Sequence, residues 1–311
     1  MPSLKQLARF GSSLKSSKAI PVNWYPGHMY GGMQAMLGKL NTTDAIVEVH
    51  DARIPLIGRN KEFKQHLGLI KPRILVLNKA DLADLTHWSE VEERLKKDGD
   101  ENILLTDLSG TSFSFRSRGY DTLLQKVINL INRSDRCNRA NADHFKIMIV
   151  GIPNVGKSTL INRLRQHHLG LGGDAATVGP KAGVTKAVET RIKICSRPPV
   201  YSLDTPGVLE PSQTKDKTQS MKLALCSNIN DGVLNIEAVA DFLLKFLNKS
   251  NNHMYLDDFG LEEQVESIEK LCETAIAKRK HTTGAALNIN DICWKFVRNF
   301  RMGNYGKVMF V

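Results

Sequence analysis

The stretch GIPNVGKST, Gly151 to Thr159, decides how the rest of the 311-residue chain is read. Gly151-x4-Gly156-Lys157-Ser158 is a complete phosphate-loop pattern, preceded by the apolar run FKIMIV and followed by the helical pattern STLINRL. In such a loop the glycines let backbone N–H groups curl around phosphate oxygens, which assigns Asn154, Val155, Gly156, Lys157, Ser158 and Thr159 to a nucleotide. Lys157 would reach the β and γ phosphates, and the Ser158 hydroxyl would supply an oxygen to magnesium. A Gly-rich turn without a ligand would leave the strand before it and the helix after it unexplained.

The loop's companions lie on both sides of it. Downstream, LDTPGV (Leu203 to Val208) ends a strand pattern and provides Asp204, placed to hold magnesium through water, and Gly207, whose N–H would meet the γ-phosphate. Between the two motifs runs the Gly-rich GGDAATVGPKAGVTK, Gly172 to Lys186. Within it Thr185 is either the group that closes over magnesium or an ordinary loop threonine. A guanine site also needs Asn-Lys-x-Asp, and downstream only NKSN at Asn248 to Asn251 comes near, with Asn where the acid belongs.

Upstream, however, Asn78-Lys79-Ala80-Asp81 ends the apolar run RILVL. A carboxylate at Asp81 can accept from both N1–H and the 2-amino group of guanine, Asn78 can bond the Hoogsteen edge, and the stem of Lys79 can cover the ring. Adenine would leave that carboxylate unpaired, a discrimination that can reach about 10⁴-fold or more. Taken alone the tetrad could equally be a solvated strand-end turn. With the other motifs it implies the order base recognition, phosphate loop, switch: a circular permutation. TDLSG (Thr106 to Gly110), at a third strand end, is where a backbone contact to the guanine oxygen is expected.

Strand patterns at Ala45–Asp51, Arg73–Asp81 and 102–110 alternate with helical ones at Trp88–Lys97 and Tyr120–Ile131. Such alternation predicts an α/β fold, a doubly wound, mostly parallel sheet with ligands at the carboxyl ends of its strands. The polar NRSDRCNRANAD (Asn132 to Asp143) would join the old termini of the permuted domain. From Gly232 onward the pattern is helical, including LEEQVESIEKLCETAIAKRK (Leu261 to Lys280) and INDICWKFVRNFRMG (Ile289 to Gly303). The expected division is a basic arm at 1–21, a permuted nucleotide-binding domain at 22–228 and a small all-α domain at 229–311.

A formal charge of +11 points to a polyanionic partner, nucleic acid or an anionic membrane surface. No run is apolar for the roughly 20 residues that a membrane-spanning helix needs. The five cysteines are scattered without a C-x-x-C pair, which indicates neither a disulfide framework nor a zinc site. The first 43 residues hold five Lys or Arg and no acid; they read as a mitochondrial transit peptide or as a basic arm that touches RNA. Lys295, Arg298 and Arg301 recur every three residues opposite Ile292, Phe296 and Phe300, either a stripe for rRNA phosphates or a solvated helix face.

NWYPGHM, DARIPLIGRN, NKAD, GIPNVGKST and DTPGV, in that order, resemble the circularly permuted GTPases that act in assembly of the large ribosomal subunit, and the acid-poor N-terminus resembles a mitochondrial member. The resemblance spans Trp24 to Val208 motif by motif, and the C-terminal helices more loosely. It implies GTP hydrolysis with magnesium, contacts to large-subunit rRNA or protein, and a matrix location at the inner membrane. The segment after Ser109 is longer than the resemblance leads one to expect, and the switch reads GVTK rather than a pair of threonines. Val208 stands where related sites place a water-orienting Gln, so His28 of the PGH turn either supplies that function or caps the turn. Asn154 either helps hold potassium beside the phosphates, as in similar GTPases, or relieves a strained loop dihedral. Two rivals remain at this level. A P-loop ATPase or kinase predicts no guanine tetrad, and a nucleotide-gated adaptor at the inner membrane predicts no ribosome association.

Overall fold

A computed structural model describes residues 36–59, 71–109, 119–136, 139–173, 176, 191–203, 205, 216–283 and 288–311. His28, Thr185, Asp204 and Gly207 lie outside these residues. The strands are β1 (Ala45–Asp51), β2 (Arg73–Asn78), β3 (Ile103–Leu105), β4 (Phe145–Val150), β5 (Arg191–Ser196) and β6 (Pro199–Leu203). They form one sheet in the order β3-β2-β1-β4-β6-β5, parallel throughout except that β5 runs antiparallel to β6. β1 and most of β2 and β4 are buried along their length, as strands covered on both faces must be, and their sequences are apolar runs rather than alternations.

The chain winds outward from β1 through β2 to β3, then returns to the other side of β1 as β4. β1 and β4 pair directly, Ala45 with Ile147 and Glu48 with Val150, so the winding direction reverses between them. At such a reversal the connections leave in opposite directions and open a crevice above the carboxyl ends. The exits of β1, β2 and β4 surround that crevice, and they carry Asp51, the NKAD turn and the phosphate loop.

At the amino ends of the same two strands lies the seam of the permutation. The buried Asp44 carboxylate accepts from Arg136 and Arg139 of the 132–143 bridge at 3.0–3.2 Å, and from the Lys146 N–H at 2.7 Å. Arg136 also donates to the Ala142 and His144 carbonyls. Burial pushes the Asp44 carboxyl upward, but the two arginines outweigh it and hold it below its ordinary value. A second buried cluster crosses the sheet. Arg59 and Arg73 each pair with both Glu48 and Asp100, and they bring the Glu48 carboxyl down to about 2 against the effect of burial.

The helices with described bounds are α1 (Trp88–Lys97), α2 (Gly119–Asn132), α3 (Lys157–Leu169), α4 (Lys217–Leu225), α5 (Ile236–Lys249), α6 (Tyr255–Phe259), α7 (Ile268–Thr283) and α8 (Ile289–Arg301). The helix expected from Leu261 starts seven residues later. Gly260 ends α6 in a left-handed conformation, and the Ser267 hydroxyl receives the Lys270 N–H at 3.3 Å as the cap of α7. On α8 the expected face, Ile292, Phe296 and Phe300, is buried. Phe296 meets the rings of Tyr255, Phe259 and Tyr305, each pair within 5.7 Å, and a fully buried ring of this size contributes about 1.5–3 kcal/mol.

The helical region does not pack as a separate unit. One continuous apolar cluster runs from β1, β2 and β4 through α4 into α5, α7 and α8, across the expected boundary at 228/229, where Asn228 and Ile229 are both buried. After α8, Gly303 and Gly306 take positive φ of 85° and 84° and reverse the chain, which carries 308–310 back to the sheet.

Candidate functional site

The phosphate loop is built as its sequence requires. Gly151 has φ 149°, and a Cβ there would fall on the Val49 carbonyl oxygen of β1. Gly156, at φ 104°, caps α3, and a Cβ there would strike the Asn78 amide. Only glycine allows the loop to lie this close to its neighbours. Asn154 takes φ 59°, in the left-handed region that Asn tolerates best among side-chain-bearing residues. Lys157 is buried, and its Nζ donates to the Ile152 carbonyl at 2.9 Å across the loop. The first turn of α3 contains no acid and Gly156 offers no side-chain cap, so the positive dipole end favours an anion.

The base tetrad stands beside this loop in space although it lies far upstream in sequence. Asn78 donates through Nδ2 to the Val155 carbonyl at 2.7 Å, so its amide ties the two motifs together. The sequence reading gave Asn78 to the Hoogsteen edge of a base; here one of its two donors is committed to the phosphate loop. The turn is fixed at its entry by Ala52 N–H to Asn78 O (2.7 Å) and Ala80 N–H to Thr106 O (3.1 Å). Lys79, at φ 61°, pairs through Nζ with Asp51 Oδ2 at 3.0 Å. Asp81 is raised above the ordinary carboxylate value by burial and by the neighbouring Asp107. Asp107 itself accepts from the Ser109 N–H (2.8 Å) and Oγ (2.6 Å), which shapes the chain at Asp107–Ser109.

Sequence reading missed the groups that brace these motifs. Asp51, fully buried, accepts from Arg53 at Oδ1 (2.9 Å) and Oδ2 (2.8 Å); burial works against its charge, but Arg53 and Lys79 hold its carboxyl well below the usual range. His50 sets the loop that follows, its Nε2–H shared between the Ile54 and Ile57 carbonyls at 2.9 and 2.8 Å. The signal was present in DARIPLIGRN, a strand end with an acid and a base two residues apart, but nothing local showed where it pointed.

A further convergence lies at the carboxyl end of α4. Arg301 donates to the carbonyls of Ala224 (2.8 Å) and Leu225 (3.3 Å), Arg53 to that of Cys226 (3.3 Å), and Asn154 to that of Ser227 (2.7 Å). Asn228 returns the contact, donating to the Pro153 carbonyl at 2.7 Å. Helix ends leave their last carbonyls without intrahelical partners and favour cations nearby; here these carbonyls are supplied by α8, the exit of β1 and the phosphate loop. The assignment of Arg301 to RNA is thereby corrected. Its guanidinium reaches inward and also pairs with Asp231 at 2.8 Å, because a long side chain on a helix flank can fold back over the helix below it. Lys295 remains exposed but donates to the Asp258 carbonyl at 2.9 Å, and Arg298 faces solvent.

Of the three residues expected to hold magnesium, Ser158 is the one that lies among the described residues. Among the described residues no group of three His, Cys, Asp or Glu could form a protein-only cage, whereas the Ser158 hydroxyl on the first turn of α3 is a hard oxygen beside the phosphate cradle. Thr205, next in sequence to Asp204, is buried and hydrogen-bonds the Ile149 carbonyl, which fixes the exit of β6 alongside β4.

A phosphate loop at the switch point of a doubly wound sheet, with its base tetrad on an adjoining strand and earlier in the chain, defines a circularly permuted P-loop GTPase fold. The comparisons agree. A family model described as 50S ribosome-binding GTPase matches residues 146–288. Mitochondrial ribosome-associated GTPase 1 of Mus musculus is 42% identical over 299 residues, 92% of this chain and 89% of the relative. Ribosome biogenesis GTPase A of Bacillus licheniformis is 31% identical over 93% of this chain and 97% of its own length. The GDP-bound structure of TM YlqF shares the fold with a TM-score of 0.55 at 22% identity, covering 89% of this chain and 97% of that one. The chain belongs to the family of circularly permuted GTPases that includes the mitochondrial ribosome-associated GTPases and ribosome biogenesis GTPase A.

Proposed function

We propose that this chain is a GTP-hydrolysing assembly factor for the mitochondrial large ribosomal subunit, whose nucleotide state sets its docking on rRNA and ribosomal protein. The observation that carries the reading is the Asn78–Val155 hydrogen bond, which joins base recognition and phosphate binding in one crevice. The names of the relatives supply the ribosome, and their mitochondrial naming agrees with the acid-poor first 43 residues. The net charge of +11 suits rRNA, with Lys295 and Arg298 as contacts, and equally a peripheral association with the anionic inner membrane from the matrix side. No helix among the described residues is long and apolar enough to cross a membrane.

In this reading Asp81 reads N1–H and the 2-amino group of guanine, Lys79 and Ala80 line the ring, and the N–H groups of 154–159 with Lys157 hold the phosphates. Magnesium, held by Ser158, Thr185 and, through water, Asp204, would neutralise phosphate charge; the Gly207 N–H meets the γ-phosphate. Potassium would be held by Asn154, whose amide oxygen has the required chemistry. Val208 cannot polarise water, so His28 orients the attacking water once the ribosome orders the site; GTP turnover on assembling subunits that is unchanged in His28→Ala removes this role. Coupling to docking runs through α4, whose carboxyl end is shared by the phosphate loop and Arg301. The test is sedimentation of the tagged protein in a mitochondrial ribosome gradient. It should travel with large subunits in a non-hydrolysable GTP analogue and leave them in GDP, and equal absence from the gradient in both states refutes the proposal.

A further inference from the structure

The NKAD turn is held from two directions, and only one of them belongs to the sheet. Its exit is held by the last stretch of the sequence. The Val308 N–H donates to the Leu82 carbonyl at 3.1 Å, and the Asp84 N–H donates to the Val308 carbonyl at 3.2 Å, so one residue of the tail brackets Ala83. Met309 is buried in the small apolar cluster that contains Ala80 and Ala83 of the turn, together with Leu75 and Leu77 of β2 and Val91 and Leu95 of α1. The Phe310 N–H donates to the Arg53 carbonyl at 2.6 Å, and Arg53 is the residue that grips Asp51, the partner of Lys79. The Phe310 ring packs among Phe246 and Phe300, with the Lys222 ammonium 5.7 Å from its centre, so the tail is anchored in the helical region. Gly303 serves the same contact. At φ 85° it turns the chain, and a Cβ there would lie 2.8 Å from the Leu82 side chain.

We propose that Val308, Met309 and Phe310 are positioning residues for guanine selectivity, holding the Asp81 turn and the Lys79 side chain in the geometry that reads the base. The proposal rests on the reading of Asn78–Asp81 as the guanine site. Its physical basis is the cost of looseness. A carboxylate discriminates the 2-amino group only if it stands where both donors of the base can reach it, and a hydrogen bond that must first order a turn loses much of its value. The backbone hydrogen bonds of the tail described above go to Leu82, Asp84 and Arg53, and none of them reaches the loop that would hold the phosphate half of the nucleotide. A defect in the tail should therefore weaken discrimination between bases more than it weakens attachment of the diphosphate.

The test compares GDP with IDP, which lacks only the 2-amino group. The unaltered chain should prefer GDP by about 10- to 100-fold, the range expected for a hydrogen bond to a charged acceptor. Met309→Ala should narrow that preference to about threefold, with IDP affinity nearly unchanged, and Met309→Leu, which refills the volume, should restore it. A Met309→Ala chain that melts lower yet keeps the full GDP/IDP ratio reduces the tail to packing and overturns the proposal. Amide exchange on the unaltered chain supplies a reading independent of any variant. By reciprocity GDP should slow exchange at Val308 and Phe310 more than IDP does, and equal exchange with both nucleotides counts against the tail. If the unaltered chain binds GDP and IDP alike, the base assignment itself fails, a result distinct from a tail that proves irrelevant to an intact preference.

Discussion

The same pair of strands, β1 and β4, carries charge at both ends and uses it in opposite ways. At their amino ends the Asp44 carboxylate is spent wholly inside the protein, on Arg136, Arg139 and the Lys146 N–H. At their carboxyl ends the phosphate loop presents Lys157 and an acid-free helix start, and the adjacent tetrad holds Asp81 with its charge disfavoured. The first arrangement closes a joint that the permutation created. The second leaves the Asp81 charge disfavoured by burial and by Asp107 beside the crevice, braced by Asp51, whose own charge Arg53 and Lys79 satisfy. Charge satisfied within the fold marks architecture, and charge held under strain beside a crevice marks function.

Four experiments press on that difference. Lys157→Ala should lower GTP turnover by about 10³-fold and the stability by only about 1 kcal/mol, the latter because Nζ also donates to the Ile152 carbonyl across the loop. Asp44→Ala should do the reverse. Removing the buried carboxylate breaks its pairing with the half-buried Arg136 and Arg139 and takes the acceptor from the Lys146 N–H, which costs about 3 kcal/mol, seen as a drop in Tm of roughly 5–10 °C, with the GDP affinity of the folded fraction unchanged. A shift in GDP affinity for Asp44→Ala would mean that the two ends are coupled and the contrast false.

Asp81→Asn should cost GTP about 100-fold in affinity and transfer preference to the xanthine nucleotide, whose C2 carbonyl accepts from the new amide. Titration with acid should then separate the ends by pH. Asp81 holds its proton more tightly than an ordinary carboxylate, and only its ionised form can accept both donors of guanine. GDP affinity should therefore fall by up to about tenfold per pH unit on acidification, starting at a higher pH than an ordinary carboxylate would give. The fold should fail later. Glu48 is lowered from 4.5 to about 2, so its contribution, on the order of 3 kcal/mol, is fully present above 4.5 and is lost progressively as pH falls toward 2. Asp44, also lowered, moves in the same direction. Loss of structure before loss of GDP affinity would invert the assignment.

What the sequence disclosed about this molecule is what proximity in sequence can encode. GIPNVGKST and NKAD each carry their chemistry within a few residues, and the alternation of strands and helices fixed the sheet class, because both depend on spacing alone. The braces are different in kind. Asn228 finds Pro153 across 75 positions, Arg53 finds Cys226 across 173, and nothing near either residue announces the partner. Arg301 shows the opposite failure. Its helical spacing from Lys295 and Arg298 is real, but periodicity assigns a face to a Cα and not a destination to a side chain of this length. The tail residues 308–310 have no local pattern, and their role is visible only once Leu82 and Arg53 are beside them.

The pairing of Ala45 with Ile147 also has a temporal side. β1 is a central strand whose partner on one side is specified about a hundred residues later, which at a synthesis rate of roughly 5–20 residues per second is an interval of about 5–20 s. Whether the chain emerges from a ribosome or is threaded through a translocase N-terminus first, β1–β3 must wait through it as a half-sheet with an open, apolar edge. The permuted order thus leaves the open edge on Ala45–Glu48 of β1, whereas the same sheet threaded from its phosphate-loop strand would leave it on β4.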